Sequence, residues 1–447
     1  METELVIASS PTDAGISCWN FQTGAEYFRY KTCSSPPHGL VSVAGRFLAS
    51  SQLLEPKSSS SGSILYWSWN KAEVKSFPAE PIKPLVSNSE GTYIVGGGIS
   101  GNIYLWEAAT GNLLKKWHAH YRGVAWYLMT ICPLLISGSE DGCVRVWYLY
   151  MIFGGANREG AKHPYKYSFH EHTLKVTDVK SGYGCNAIIV SASEDRTCEV
   201  WSLSKGKLLR NIVFPSIIDA IALDPGEHVI YAGGRDGKIF IAALNAPGTS
   251  NSSYGLHIIG SLSEHSKAIT CLASSADGSL LVSVSEEGMI RVWNTKSRNI
   301  TRVFRHAKGP VNNVLVVRQP QHLNPGTSIN TQASLLRGRG FLLPPSLQKY
   351  VNSADENAYV KAFLTPQTAS NTLLHDQYIS VQTMENLIKE HQKQGSSAAA
   401  ELDVERLKLE RQRSVQTIQQ SKTIYENLHQ FCVNELLDGN HVQSTNG

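Results

Sequence analysis

One short pattern returns along most of this sequence: Gly or Asp, a few strand-forming residues, then Trp. The copies are AGISCW ending at Trp19, GSILYW at Trp67, GNIYLW at Trp106, DGCVRVW at Trp147, DRTCEVW at Trp201 and EGMIRVW at Trp293. A further copy, DGKIFIA, is read with Ile241 in the Trp position. Successive positions are 39 to 54 residues apart, a period that belongs to repeat architectures in which one supersecondary unit is made over and over. Each copy follows another strand signal and is commonly followed by one more after a polar turn, as in CLASSADGSLLVSVSEEGMIRVWNTKSRNITRVFRH. That gives four short strands per unit, with turn dipeptides such as Asp141-Gly142 and Asp236-Gly237 before the third.

One four-stranded sheet cannot bury both of its faces, but sheets stacked around an axis seal one another and leave only short edges. The chain is therefore expected to be all-β, a seven-bladed β-propeller over residues 1–317. Trp19, Trp67, Trp106, Trp147, Ile241 and Trp293 are expected in the blade core beside Trp201. A buried polar turn must be hydrogen-bonded, and His172, Ser193, Asp195 and Trp201 read as a loop His, strand hydroxyl, turn Asp and strand Trp that satisfy one another. Weaker sets are His120, Ser139 and Asp141, and His265, Ser285 and Glu287. The units at Trp19 and Trp67 lack an evident Asp, so irregular loops are expected there. Only ELVIAS precedes the first turn, and the apolar run Val311 to Val317 is the natural innermost strand for that blade, closing the ring with both ends of the chain. The alternative is an eighth blade drawn from PPSLQKYVNSADENAYVKAF, with Phe363 in the Trp position. Tyr148–Tyr167 and Leu244–Leu262 are insertions for a rim, where Met151, Ile152 and Phe153 either fold back or meet a partner.

Residues 318–397 read as an irregular extension with room for short strands and a helix. From 398 to 438 the period changes to that of a helix, without Gly or Pro before the final turn. Such a helix would be roughly 60 Å long. Leu407, Ile418, Tyr425, Leu428, Cys432 and Leu436 form its apolar stripe, interrupted by Arg411 and Ser414, and a marginal charged helix needs burial against another copy or a partner. Residues 439–447 read as a flexible tail.

Chemistry is expected to be absent. No Ser elbow, Walker-type phosphate loop or H-E-x-x-H occurs, and the glycines of GGGISGN around Gly98 belong to a blade turn with no following helix, so they are not a phosphate loop; Asp141, Asp195 and Asp236 recur one blade apart, so they cannot converge on one substrate. The pairs His118/His120 and His170/His172 are loop and blade-network residues rather than metal ligands. The eight Cys include no C-x-x-C pair, which favours buried thiols in a reducing compartment. No cofactor, metal or membrane is implied. A balance of 41 Lys and Arg against 37 Asp and Glu is too even to diagnose nucleic-acid binding, and Lys115, Lys116, Lys162, Lys166 and Lys175 read as solvated loop charges. The leading class is a scaffold that binds other proteins.

The segments METELVIASS, GISCWNFQTG, SGNIYLWEAATGNLL, FHEHTLKVTDVKSGYG, SEDRTCEVWSLSKGKLL, HSKAITCLASSADGSLLVSVSEEGMIRVWNTKSR and HAKGPVNNVLVV, with the helical end, resemble the WD-repeat subunit of the rixosome, and its plant member in particular. The resemblance implies a non-catalytic scaffold in nuclear large ribosomal subunit assembly and precursor rRNA spacer processing, found in nucleus, nucleoplasm and nucleolus. It implies as partners the helical-repeat rixosome subunits, the precursor large subunit and a remodelling ATPase, with a homodimer through the terminal helix and direct RNA contact left open. It also carries a role in cell proliferation and meristem development. The alternative class is a substrate adaptor of a ubiquitin ligase or a generic signalling scaffold.

Overall fold

The computed structural model describes residues 4–12, 15–21, 23–30, 33–53, 62–69, 73–129, 134–149, 152, 165–182, 187–244, 258–306, 309–318 and 343–350, with Lys408, Gln412, Val415 and Gln419. Among them are seven four-stranded antiparallel sheets. Blade 2 comprises Leu40–Val43, Phe47–Gln52, Ser63–Ser68 and Glu73–Ser76; blade 3, Ile82–Ser87, Tyr93–Gly98, Asn102–Glu107 and Leu113–His118. Blade 4 comprises Val124–Met129, Leu134–Ser139, Val144–Tyr148 and Tyr165–Phe169; blade 5, Val176–Ser181, Ile188–Ser193, Thr197–Ser202 and Lys207–Val213. Blade 6 comprises Ile218–Leu223, Val229–Gly234, Ile239–Ala243 and Ile258–Leu262; blade 7, Ile269–Ser274, Leu280–Ser285, Met289–Asn294 and Ile300–Arg305.

Blade 1 takes three strands from the amino end, Glu4–Ser9, Ile16–Asn20 and Glu26–Tyr30, and its innermost strand, Asn313–Arg318, from far downstream. The two ends pair antiparallel, Leu5 opposite Val317, Ile7 opposite Leu315 and Ser9 opposite Asn313. Val311, expected within this strand, precedes it and is buried. Neighbouring innermost strands contact one another all the way round, so the ring is closed. At the closure, Asn313 Nδ2 donates to Ser9 Oγ (3.1 Å) and to the Pro36 carbonyl (2.8 Å), and Asn312 Nδ2 donates to the Ser35 carbonyl (2.7 Å).

The core lies in the junctions between sheets, because successive strand residues face opposite ways. In the strand Glu4–Ser9, Leu5 and Ile7 join Leu40, Leu48 and Trp67 of blade 2, while Val6 and Ala8 join Val282, Val292 and Phe304 of blade 7. One apolar cluster of this kind fills each of the seven junctions. Blades 1 and 2 form complete sheets; Asp13, in the stretch before Ile16, lies outside the described residues.

Leu149 and Ile152, at the start of the first insertion, pack into the junction of blades 3 and 4; Met151 and Phe153 lie outside the described residues. Within 318–397 only 343–350 is described beyond Arg318, and it forms no strand: it crosses the junction of blades 2 and 3, with Leu347 in their shared core. Phe363, on which an eighth blade would depend, is outside the described residues. So are Leu407, Ile418, Tyr425, Leu428, Cys432 and Leu436, and the expected helix over 398–438 is not established as an element. Lys408, Gln412, Val415 and Gln419 have helical backbone and exposed side chains, in a separate compact unit that takes in Val360–Gly447.

Candidate functional site

On the face of the ring that carries the turn between the second and third strands of each blade, three blades share one hydrogen-bonded relay. In blade 5, His172 Nδ1 lies 3.1 Å from Asp195 Oδ2, His172 Nε2 lies 2.9 Å from Ser191 Oγ, and Trp201 Nε1 donates to the same oxygen at 3.2 Å. In blade 4 the corresponding set is Asp141, His120, Ser137 and Trp147, at 3.2, 2.8 and 2.8 Å. In blade 7 it is Glu287, His265, Ser283 and Trp293, at 2.6, 2.7 and 2.8 Å. The donors and acceptors fix the proton positions. In blades 4 and 5, because the indole N–H donates to the serine oxygen, the serine O–H is free to donate to Nε2, and the Nδ1–H then donates to the carboxylate; in blade 7 the Arg291 guanidinium donates to His265 Nδ1 at 2.5 Å, which leaves that nitrogen an acceptor and puts the ring proton on Nε2, facing Ser283 Oγ. Only a neutral histidine satisfies every member of the set.

The surroundings of His265 and His120 also disfavour the charged ring. Burial pushes His265 down to about 4, a fall that Glu287 opposes and Arg291 reinforces; burial likewise lowers His120 against the pull of Asp141. Burial alone would raise Asp141, Asp195 and Glu287, but bonds from His120 and the Cys143 N–H, from His172 and Thr197, and from Ser266, Arg291 and His265 hold all three carboxyls below the ordinary range, Glu287 at about 2. Between pH 6.5 and 4 the unfolded chain therefore binds a proton at position 265 that the folded ring does not, so stability falls as the pH drops through that window. The loss from His265 should reach about 2–3 kcal/mol near pH 4. Thermal unfolding followed from pH 7.5 to 4 should show a falling midpoint, and His265→Gln should flatten it; a midpoint indifferent to pH in the parent protein would refute the neutral-histidine assignment.

The hydroxyl between histidine and tryptophan is that of Ser191, not Ser193. Ser193 Oγ donates to the Leu174 carbonyl and accepts the Asp195 N–H, each at 3.2 Å; Ser139 serves Gly123 and Asp141 in the same way. The signal was in the spacing, since Ser137, Ser191 and Ser283 each precede their Trp by ten residues. Blade 6 shows a second displacement. Ile230 pairs with Ala242 as Ile189 pairs with Trp201, and the edge pairing shifts register just before Ala242 as it does just before Trp201. Ala242 thus occupies the Trp position, and Ile241 faces blade 7 beside Trp293. A slip of one residue exchanges the faces of a strand. Phe214 and Phe240 supply the bulk on the blade 5 side. Trp19, Trp67, Trp106, Trp147 and Trp293 are all buried at junctions.

Around the same face run ion pairs that join neighbouring blades: Lys83 to Glu140 at 2.5 Å and Arg235 to Glu194 at 2.9 Å, with Lys175 and Asp219 completing the second group. Exposed pairs of this kind add little stability, but they hold charge at fixed points of a rigid surface. Tyr121, Leu174 and Ile99 stand among them, 83%, 52% and 47% exposed. His170 meets Cys143 Sγ and Ser168 Oγ, each at 2.8 Å. Among the described residues no group of three or more His, Cys, Asp or Glu is placed to hold a metal ion. Cys18, Cys33, Cys143, Cys198 and Cys271 are buried; Cys132, Cys185 and Cys432 are outside the described residues. The acids of the relays, each engaged with its own histidine in its own blade, do not converge. What the face offers is a broad, fixed pattern of charge and apolar side chains suited to contact with other macromolecules.

Seven four-stranded sheets, closed by pairing the first strand with Asn313–Arg318 and carrying His-Ser-Trp relays in three blades, define a WD-repeat propeller, and the WD domain, G-beta repeat model matches residues 111–148, 164–202 and 256–294. The chain is 51% identical to Protein ROOT INITIATION DEFECTIVE 3 of Arabidopsis thaliana over 438 residues, covering 96% of this chain and 98% of that protein. It is 30% identical to human WD repeat-containing protein 18 over 316 residues, covering 68% and 69%, and 28% identical to Pre-rRNA-processing protein IPI3 of Yarrowia lipolytica over 330 residues, covering 70% and 75%. The chain belongs to the family of WD-repeat proteins that these three represent.

Proposed function

We propose that this protein is a non-catalytic scaffold in nuclear assembly of the large ribosomal subunit, acting in removal of the internal spacer from precursor rRNA. The observation that carries the reading is similarity over 330 residues to a pre-rRNA-processing protein, together with near end-to-end similarity to Protein ROOT INITIATION DEFECTIVE 3. The relays support a structural use of the residue types that could otherwise do acid-base work, because each histidine and acid is engaged within its own blade. In this reading the rigid face and the segment 398–438 serve different partners. The ring meets helical-repeat subunits of the rixosome and the precursor particle, alongside a remodelling ATPase, while a helix at 398–438 with its stripe from Leu407 to Leu436 brings two copies together. The place of action is the nucleus, nucleoplasm and nucleolus, and the developmental consequence is support of cell proliferation and meristem formation through ribosome supply. The relatives favour this reading over a substrate adaptor of a ubiquitin ligase.

Depletion of the protein should enlarge the pool of spacer-containing precursor rRNA, read by RNA blotting; normal processing under proven depletion would reject the assignment. Affinity purification from nuclear extract should recover helical-repeat subunits and precursor particles, where recovery of a cullin adaptor instead would favour the other class. Deleting 398–447 should leave the ring folded and reduce both the mass by light scattering and the recovery of partners.

A further inference from the structure

Blade 3 lacks the hydroxyl that its tryptophan would need. The position ten residues before Trp106 is Gly96, not serine, and a Cβ there would come within 2.9 Å of the Trp106 ring. The ring lies over the bare backbone, stacked on Tyr104 at 5.5 Å between centroids, and its N–H has no acceptor among the strands of its own blade. The acceptor comes from far along the chain: Trp106 Nε1 donates to the Gln348 carbonyl at 2.9 Å.

Two more main-chain bonds hold the same segment. The Gln348 N–H donates to the Gly111 carbonyl at 2.9 Å, and the Leu347 N–H donates to Ser76 Oγ at 3.0 Å. Ser76 belongs to blade 2 and Gly111 to blade 3, so the segment staples one junction. Gly111 has φ +73°, and a Cβ on it would stand 2.7 Å from the Ser346 carbonyl oxygen; the approach is close because nothing larger than glycine is there. Leu347, 5% exposed, inserts among the residues of both blades, and Leu343 packs beside it. At the far end Tyr350 is 74% exposed. Backbone bonds that fix a peptide's path together with an apolar pocket that selects one side chain are the elements of extended-peptide recognition.

We propose that the junction of blades 2 and 3 is a recognition site for an extended Pro-Pro-x-Leu-x segment, occupied by the chain's own Leu343–Tyr350, which thereby fastens the downstream part of the chain to one fixed point on the ring. The pocket is selective for an apolar side chain at position 347, and the Trp106 indole reads the carbonyl that follows it.

The test uses the full-length protein. Hydrogen exchange should find the amides of Leu347 and Gln348 at least tenfold slower to exchange than in Leu347→Asp or in Trp106→Phe, which keeps an aromatic ring but removes the N–H. A fluorescently labelled peptide of residues 341–350 should bind Leu347→Asp at least tenfold more tightly than the parent, whose site is filled, and the peptide carrying the same Leu→Asp change should not bind. Blade 5 amides report whether a variant has remained folded, and should Leu347→Asp lose protection there, Trp106→Phe decides the question alone. Strap amides that exchange in the parent as fast as in the free peptide, or protection unchanged by both substitutions, would overturn the proposal, as would a folded Leu347→Asp protein with a released strap and no affinity for the peptide.

Discussion

Deleting Asn313–Arg318 from the otherwise full chain is expected to abolish cooperative folding of the whole ring, not to subtract a single blade. The strand is the innermost member of blade 1, and its two faces serve different junctions: Val314 packs with Trp19 and Phe304 toward blade 7, while Leu315 and Val317 pack with Leu5 and Ile7 toward blade 2. Its removal opens both clusters, unpairs Glu4–Ser9 along one edge and strips Ser9, Ser35 and Pro36 of the bonds from Asn313. Domain stabilities are only about 5–15 kcal/mol in total, so two opened junctions exhaust the margin. Circular dichroism and limited proteolysis would show a broad, non-cooperative transition and cleavage throughout the ring. A sharp transition at the parent temperature would mean that six blades are self-sufficient and that closure contributes little.

Trp201→Ala carries the next largest expected effect, a loss of about 3–5 kcal/mol in chemical denaturation. The side chain fills the junction of blades 4 and 5, with Phe169 stacked on it at 4.1 Å between centroids, and its N–H feeds the relay through Ser191. The two contributions can be separated. Trp201→Phe retains most of the apolar volume and removes the donor, and Ser191→Ala breaks the relay while leaving the ring in place; each should cost about 1–2 kcal/mol. An unchanged midpoint for Trp201→Ala would show that the residue is not part of the blade core.

The ring could be read from the chain because its determinants are local and repeated. Each Trp follows a turn by a fixed number of residues, and the shortage of strand material before Ile16 demanded a partner from elsewhere. Blade 6 was harder because it has no Trp to mark the frame, so the reading settled on the bulkier Ile241 when the pairing places Ala242 there. Ser191 and Ser193 lie on the same face of one strand, and alternation alone could not choose between them; the ten-residue interval to Trp201 could. The strap at 343–350 has no periodicity to find. Its place is fixed by what blade 3 lacks at Gly96 and by the room left at Gly111, more than two hundred residues upstream, and a vacancy leaves no mark in the segment that fills it.

Ribosomes emit this chain with its first strand long before the strand's partner. Ser9 and Asn313 are 304 residues apart, which at ordinary rates of translation is on the order of 15–60 s. Throughout that interval the apolar strand from Leu5 to Ala8 has one edge unpaired, and the hydrogen bonds that will seal it cannot form. Growth of this protein thus includes an obligatory waiting period, during which nascent-chain chaperones have a defined client segment at the amino end, and synonymous changes in codon speed would alter how long it must be shielded.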